Sequence, residues 1–219
     1  MSVDWNKMGK IGSAKIHHYT IGRCGSAFIS QILFHIFGFE NVWAGHDELG
    51  KIAGPVVITY RDFRDVAVSY WRVTKDIKPA ALDAGRKMTA SEVKGFARNI
   101  SGMVGTMDRV YQRNPHALLF KYEEFFPDNF GLILNNMQQH FQISLTAEQI
   151  EEIKNKFNLA ANKKRSDDLV TFKKVGKEYM HGNHVYKGTV GGWKSLIEPR
   201  DYHILENQLA PHLKKWGYK

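Results

Sequence analysis

VVITYRDFRDVAVSYWRV (residues 56–73) changes character in its middle. Val56 to Tyr60 are continuously apolar and rich in β-branched residues, the pattern of a strand buried on both faces. From Asp65 to Val73, residues Val66, Ser69, Tyr70 and Val73 share one side at helical spacing, so 65–73 reads as a helix. A buried strand that runs at once into a helix is the first half of a parallel crossover. In parallel sheets, ligands gather beyond the C-terminal ends of the strands. Arg61 stands at that end, and Ser69 lies two turns into the helix. A guanidinium fork and a hydroxyl so placed can grip one anion from two sides. The plain alternative is that Arg61 answers a nearby carboxylate and Ser69 is a small helix residue.

The same alternation extends in both directions. AKIHHYT (14–20) reads as a strand, IGRCGS (21–26) as a glycine turn, and SAFISQILFHIFG (26–38) as a helix stopped by Gly38. Residues 90–113 are mostly helical, ALLFKY (117–122) is a third buried strand, and 123–141 is helical with an interruption at Pro127. Thr146 with Gln149 three positions on has capping-box spacing and opens a further helix. Pro199 suits the first turn of a closing helix over 199–219. Residues 162–188 are basic, contain glycine and lack apolar periodicity, which predicts a functional or disordered loop. There is no internal repeat. Strands alternating with helices predict an α/β fold with a central, mostly parallel sheet flanked by helices.

The chain has 219 residues, 43% of them hydrophobic, which suits one domain over 1–219. Lys and Arg number 31 against 22 Asp and Glu, a net charge of +9 that fits an anionic partner. The single cysteine, Cys24, excludes a disulfide framework within the chain and argues against a cysteine-based metal site. The opening MSVDWNKMGK lacks the apolar core of a signal peptide, and the longest apolar stretch, 28–39, is broken by Ser30, Gln31 and His35. A soluble, cytoplasmic protein with no membrane association is therefore expected.

Two further stretches carry anion chemistry. In YTIGRCGSAF (19–28), Gly22 and Gly25 allow a tight bend, and free N–H groups at a helix start make an anion nest. Arg23 adds charge and Ser26 a hydroxyl. The G-x-x-x-x-G-K-[ST] pattern of nucleoside triphosphatases is absent. In YKGTVGGWK (186–194), Gly188, Gly191 and Gly192 expose backbone N–H groups and Lys187 supplies charge. Read alone, that stretch is also an ordinary flexible loop.

Together these segments resemble the sulfotransferases that use 3′-phosphoadenosine 5′-phosphosulfate (PAPS). YRDFRDVAVSYWRV is similar to the family's 3′-phosphate signature, with Phe63 in place of a proline. TIGRCGSAF resembles the 5′-phosphosulfate loop, YKGTVGGWK the C-terminal glycine element, and LLFKYEEF a strand followed by Tyr-Glu-Asp. The matches run in family order over residues 14–199. The resemblance implies a P-loop-like three-layer fold, PAPS as cosubstrate without a metal, and transfer of a sulfuryl group to a hydroxyl, or an amine, of a small-molecule acceptor. It implies that Arg61, Ser69, Lys187 and Gly188 hold the 3′-phosphate. Arg23, Cys24, Gly25, Ser26 and Ala27 would line the 5′-phosphosulfate. Phe28 would stack on adenine, with plain core packing as its rival, and Asn158 and Leu159 fall near the family's other nucleoside-contacting turn.

Several positions depart from the family pattern. Arg23 replaces a lysine, Tyr186 an arginine and Gly192 an aspartate, and the usual dimerisation pattern is missing after Trp193. An arginine keeps its charge and donates no proton, so Arg23 is expected to act electrostatically in catalysis. His46 falls where the family has its catalytic histidine and is the expected general base, with Asp47 and Glu48 as local carboxylate substitutes. His17 and His18, on the first strand, read as structural or surface residues. Cys24 at a helix start is either a thiol of lowered pKa or a small packing residue. Trp43, Tyr70, Trp71 and the 75–90 segment are candidates for the acceptor pocket. Two other functions remain open on sequence: a nucleotide or small-molecule kinase with an unusual phosphate loop, and a basic protein that binds nucleic acid without catalysis. The separation of the basic residues among glycine turns argues for a small polyanion over a nucleic acid.

Overall fold

The structure, a computed structural model, describes residues 15–46, 54–169 and 188–219. Four strands form one sheet: β1 (Ile16–Thr20), β2 (Val42–Gly45), β3 (Val56–Tyr60) and β4 (Leu118–Lys121). Their order is β2-β1-β3-β4, and every pairing is parallel. His17 of β1 is in register with Trp43 of β2 and Val56 of β3, and Ile58 of β3 with Leu119 of β4. After β1 the chain turns toward β2, whereas after β3 it turns toward β4. The crevice between these diverging connections is the topological switch point of the sheet, where parallel α/β folds bind ligands.

Helices cover both faces, giving three layers. On one side lie α1 (Ser26–Phe37), α6 (Phe130–Phe141) and α7 (Ala147–Phe157), whose Ile29, Ile32, Leu33, Ile133, Met137 and Ile153 pack with Ile16, Val57 and Phe120 of the sheet. On the other side lie α2 (Phe63–Thr74), α4 (Ala90–Arg113) and α10 (Tyr202–Lys215). Their Val66, Trp71, Ile100, Val104, Leu205 and Leu209 pack with Val56 and Ile58. The alternation Val56, Val57, Ile58 between the two cores is the period-2 pleat of a doubly covered strand. Short helices α3 (Pro79–Asp83), α5 (Tyr122–Phe125), α8 (Leu159–Asp167) and α9 (Trp193–Leu196) fill the connections. Capping boxes start α4 at Thr89 with Glu92 and α7 at Thr146 with Gln149. Among the described residues, no helix is long and apolar enough to cross a membrane.

Three sequence expectations change. Strand β2 was not foreseen; it is four residues long and only Val42 is buried. The region from Pro127 is not one interrupted helix: α5 ends at Phe125, and Asn129 caps a separate α6 by accepting from the Leu132 N–H. Residues 162–167, expected within an irregular segment, belong to α8. Its start is fixed by Asn158, whose side chain accepts from the Ala161 N–H, and buried Asn162 and Ser166 replace the apolar stripe that would have betrayed it. Residues 170–187 of that segment lie outside the described residues.

His18 ties the layers together from the middle of β1. It is fully buried, with Nδ1 2.8 Å from Ser30 Oγ of α1 and Nε2 2.5 Å from Thr59 Oγ1 of β3. Burial, reinforced by His46, pushes its pKa down from 6.5 to about 3, so it stays neutral in the fold. As pH falls below 6.5, the unfolded chain binds this proton and the folded chain does not until about pH 3. Stability is therefore lost through that window, with about 2 kcal/mol gone by roughly pH 5. Urea unfolding at neutral and acidic pH should show this loss, and His18→Gln should reduce it. An equal loss in both proteins would assign the slope to other groups.

Candidate active site

The loop between β1 and α1 bends through three left-handed residues, Gly22 (φ 79), Arg23 (φ 60) and Gly25 (φ 78). For Arg23 this conformation costs of the order of 1 kcal/mol or more. Gly25 leaves no room for a side chain: a Cβ would lie 2.9 Å from Phe125 Cζ and from Tyr122 Cδ2. The loop therefore presses its backbone onto α5. Helix α1 then begins without a side-chain cap and without an acidic residue in its first turn, which leaves positive potential at its N-terminus.

Across the switch point, Arg61 follows β3 and is buried. Its Nη2 donates to the Thr189 carbonyl at 2.9 Å and lies 3.4 Å from Asp65 Oδ2, and its guanidinium sits 4.2 Å over the Tyr122 ring. The buried Nε has no hydrogen-bond partner among the described residues. Asp65 accepts from the N–H groups of Gly191 (2.8 Å) and Trp193 (2.9 Å), which fastens the glycine loop to α2. Burial raises the Asp65 pKa, opposed by Arg61 and these two N–H donors. Gly188 (φ 61) comes so close to Phe126 that a Cβ would stand 2.3 Å from its Cζ, and the Gly188 carbonyl accepts from the Tyr122 hydroxyl at 3.2 Å. Arg64, by contrast, is turned away: it grips Asp62 at 2.7 Å and reaches Glu206 at 3.4 Å.

These segments enclose a cavity of about 430 Å³. Arg23, Gly25, Ala27, Phe28, Arg61, Ser69 and Gly188, all expected site residues, line it. Arg23 Nε donates to Ser69 Oγ at 3.1 Å, joining the first loop to α2. Because Ser69 accepts there, its hydroxyl hydrogen can donate to a ligand. Phe28 also packs on Phe125 and Phe130, so it serves the core and the cavity together. Leu159 is on the wall, whereas Asn158 caps α8. Cys24 and Ser26 are off the wall. The Cys24 thiol is buried, donates to the Gly22 carbonyl, and is pushed up to about 12 by burial, which excludes the reactive thiol of lowered pKa. Lys187 lies outside the described residues, as do Asp47 and Glu48.

His46 follows β2 and stands against Gly22, whose Cβ would lie 3.6 Å from its Cε1. It is not on the cavity wall. Its Nδ1 is 2.7 Å from the Thr20 carbonyl, an acceptor, so Nδ1 carries a hydrogen, and in the neutral imidazole the lone pair is then on Nε2. Of the expected acceptor-pocket residues, Leu82 and Asp83 line the cavity. Trp71 does not: it is fully buried in the core beneath α4. Trp43 packs on His17, and Tyr70 on Phe96.

Sequence reading missed Arg72. It lies three residues after Ser69 on the same helix, is buried and lines the cavity. Burial, then the charges of Arg72 and Arg61, pulls Arg23 down to about 10, still cationic at neutral pH. Three guanidiniums thus converge on one cavity, and a polyanion bound there would relieve their mutual repulsion. Tyr122, Phe125, Phe126 and Pro127 supply an apolar and aromatic wall beside them, a combination suited to a ligand with both anionic groups and a flat apolar part.

Comparison with known proteins agrees with this geometry. No curated protein matches the sequence. Among solved structures, the crystal structure of mouse sulfotransferase SULT7A1 complexed with PAP superposes with a TM-score of 0.63 over 93% of this chain and 88% of that one, at 14% identity, and so shares the fold. The family model described as the sulfotransferase domain matches residues 51–217, from just before β3 through α10. With that match spanning most of its length, the chain belongs to the sulfotransferase family.

Proposed function

We propose that this sulfotransferase uses PAPS as donor and sulfates a hydroxyl, or an amine, of a small-molecule acceptor, with His46 as general base. The observation that carries the donor assignment is the convergence of Arg23, Arg61 and Arg72 with an aromatic wall on one cavity. The residues fit an adenosine bearing anions at both ends. Arg61 Nε, which has no hydrogen-bond partner among the described residues, and the Ser69 hydroxyl meet the 3′-phosphate with the Gly188 backbone, and the family pattern adds Lys187. Gly25 to Ala27 and Arg23 meet the 5′ side at the uncapped start of α1, with Cys24 shaping the loop from behind. Phe28 borders the base with Phe125 and Phe126. The complex of mouse SULT7A1 with PAP, in the same fold, supports this choice of nucleotide.

PAPS supplies the sulfuryl group and a phosphate leaving group. The chain supplies position and charge. The Thr20 carbonyl fixes the His46 tautomer, so Nε2 can take the acceptor proton as the new O–S bond forms. Arg23 and the N-terminus of α1 hold the negative charge that grows on the departing phosphate, without proton donation from the guanidinium. The cations sit inside a concave cavity rather than along an open face, which favours a small polyanion over nucleic acid. We assign the described segments and those between them to one domain over 1–219.

Two variants test the roles separately. Arg61→Ala should weaken binding of 3′-phosphoadenosine 5′-phosphate (PAP) by about 2–4 kcal/mol, the scale for truncating one side of a buried charged contact. Titration calorimetry reads this directly, and unchanged affinity would remove Arg61 from the site. His46→Ala should keep PAP affinity and lower single-turnover sulfuryl transfer by about 10²–10⁴. Transfer at wild-type speed would place the base elsewhere.

A further inference from the structure

The anion site is braced from behind by the segment that follows α10. Gly217 (φ 76) ends that helix in the left-handed conformation, and the Tyr218 N–H returns to the Leu213 carbonyl at 2.8 Å. The half-buried Tyr218 ring is thereby folded against Tyr60 and Phe63, the residues that flank the Arg61–Asp62 turn, with Lys121 Nζ 4.8 Å over it. Its hydroxyl donates to Glu123 Oε2 at 2.8 Å. The other oxygen of the same carboxylate, Oε1, accepts from the Asp62 backbone N–H at 2.9 Å. That N–H belongs to the peptide group joining Arg61 to Asp62. The residue before Glu123 is Tyr122, whose ring lies under the Arg61 guanidinium. The first turn of α5 thus holds Arg61 twice, by the ring beneath its head and by the carboxylate behind its backbone.

Resting on the reading of the cavity as a PAPS site, we propose that Tyr218 is a positioning residue: through Glu123 it fixes the Arg61–Asp62 peptide and so aims the Arg61 guanidinium at the 3′-phosphate. A carboxylate held by one N–H alone can rotate about its side-chain torsions. A second donor on its other oxygen locks it. Tyr218 suits the task because burial and the neighbouring Glu123 charge push its phenol pKa up, which keeps it a neutral donor across the working pH range. Tyr218 is not among the residues that line the cavity.

Tyr218→Phe deletes the hydroxyl and keeps the ring packing. Calorimetry with PAP and with adenosine 5′-monophosphate, which lacks the 3′-phosphate, separates the possibilities. The expected result is PAP affinity about five- to tenfold weaker, the scale of one hydrogen bond to a charged group acting at one remove, with affinity for the monophosphate unchanged. In steady-state transfer the KM for PAPS should rise while kcat holds. In a Glu123→Gln background the same substitution should add little. Wild-type PAP affinity in Tyr218→Phe overturns the inference alone. Equal weakening for both nucleotides together with a lower Tm also overturns it, since that marks general loosening. Failure of the unmodified protein to bind PAP overturns the donor assignment and the inference with it.

Discussion

A single carboxylate organises the site. Asp65 is almost wholly buried on α2 and answers three groups at once: the Gly191 N–H, the Trp193 N–H and the Arg61 guanidinium. A buried charge is tolerated only with such partners. By holding the 191–193 turn, Asp65 brings the Thr189 carbonyl to Arg61 and lays Gly188 against Phe126. The glycine loop, the arginine after β3 and the aromatic wall of α5 consequently share one cavity. Asp65 thus places one buried negative charge against Arg61 at the edge of a cavity that Arg23 and Arg72 also line.

Much of this was legible in the sequence, and for identifiable reasons. Val56–Tyr60 followed at once by an amphipathic run can hardly be read other than as a buried strand feeding a helix, and the parallel topology follows from it. The glycines at 22 and 25 announced a tight bend with close backbone approach, and both have a positive φ. Other features leave little trace. Strand β2 is short and mostly half-buried, so it lacks a hydrophobic signature. Helix α8 is held by polar contacts, its Asn158 cap and buried Asn162, instead of an apolar stripe. Arg72 sits between Trp71 and Val73, where an arginine in an aromatic run reads as a solvated helix residue. Its burial at the cavity depends on the tertiary placement of α2. The Tyr218–Glu123–Asp62 contact joins three segments with no shared local pattern, and one sequence cannot display it.

The lines of support reach different parts of the site. The family match begins at residue 51, which leaves the loop over 19–28 outside it. That loop is tied to the rest by geometry: Arg23 donates to Ser69, Gly25 packs on α5 and His46 leans on Gly22. The half of the site that departs most from the family's motifs, with arginine for lysine and cysteine beside it, is thus joined by hydrogen bonds and close packing to the half that departs least. The left-handed backbone at Arg23 is consistent with a side chain held for function at some conformational cost.

The distances in sequence between these contacts also dictate an order of assembly. The strands that frame the crevice pair in parallel across long crossovers, and Asp65 meets its backbone donors 126 and 128 positions downstream. During synthesis, which proceeds from the amino end, the β1–α1 loop, Arg61 and α2 with Asp65 emerge well before the glycine turn that closes over them. The crevice therefore lacks its closing turn until late in elongation. Closure of that crevice becomes a late folding event, one that long-range contacts make slow and that an anion bound by the closed form would favour at equilibrium.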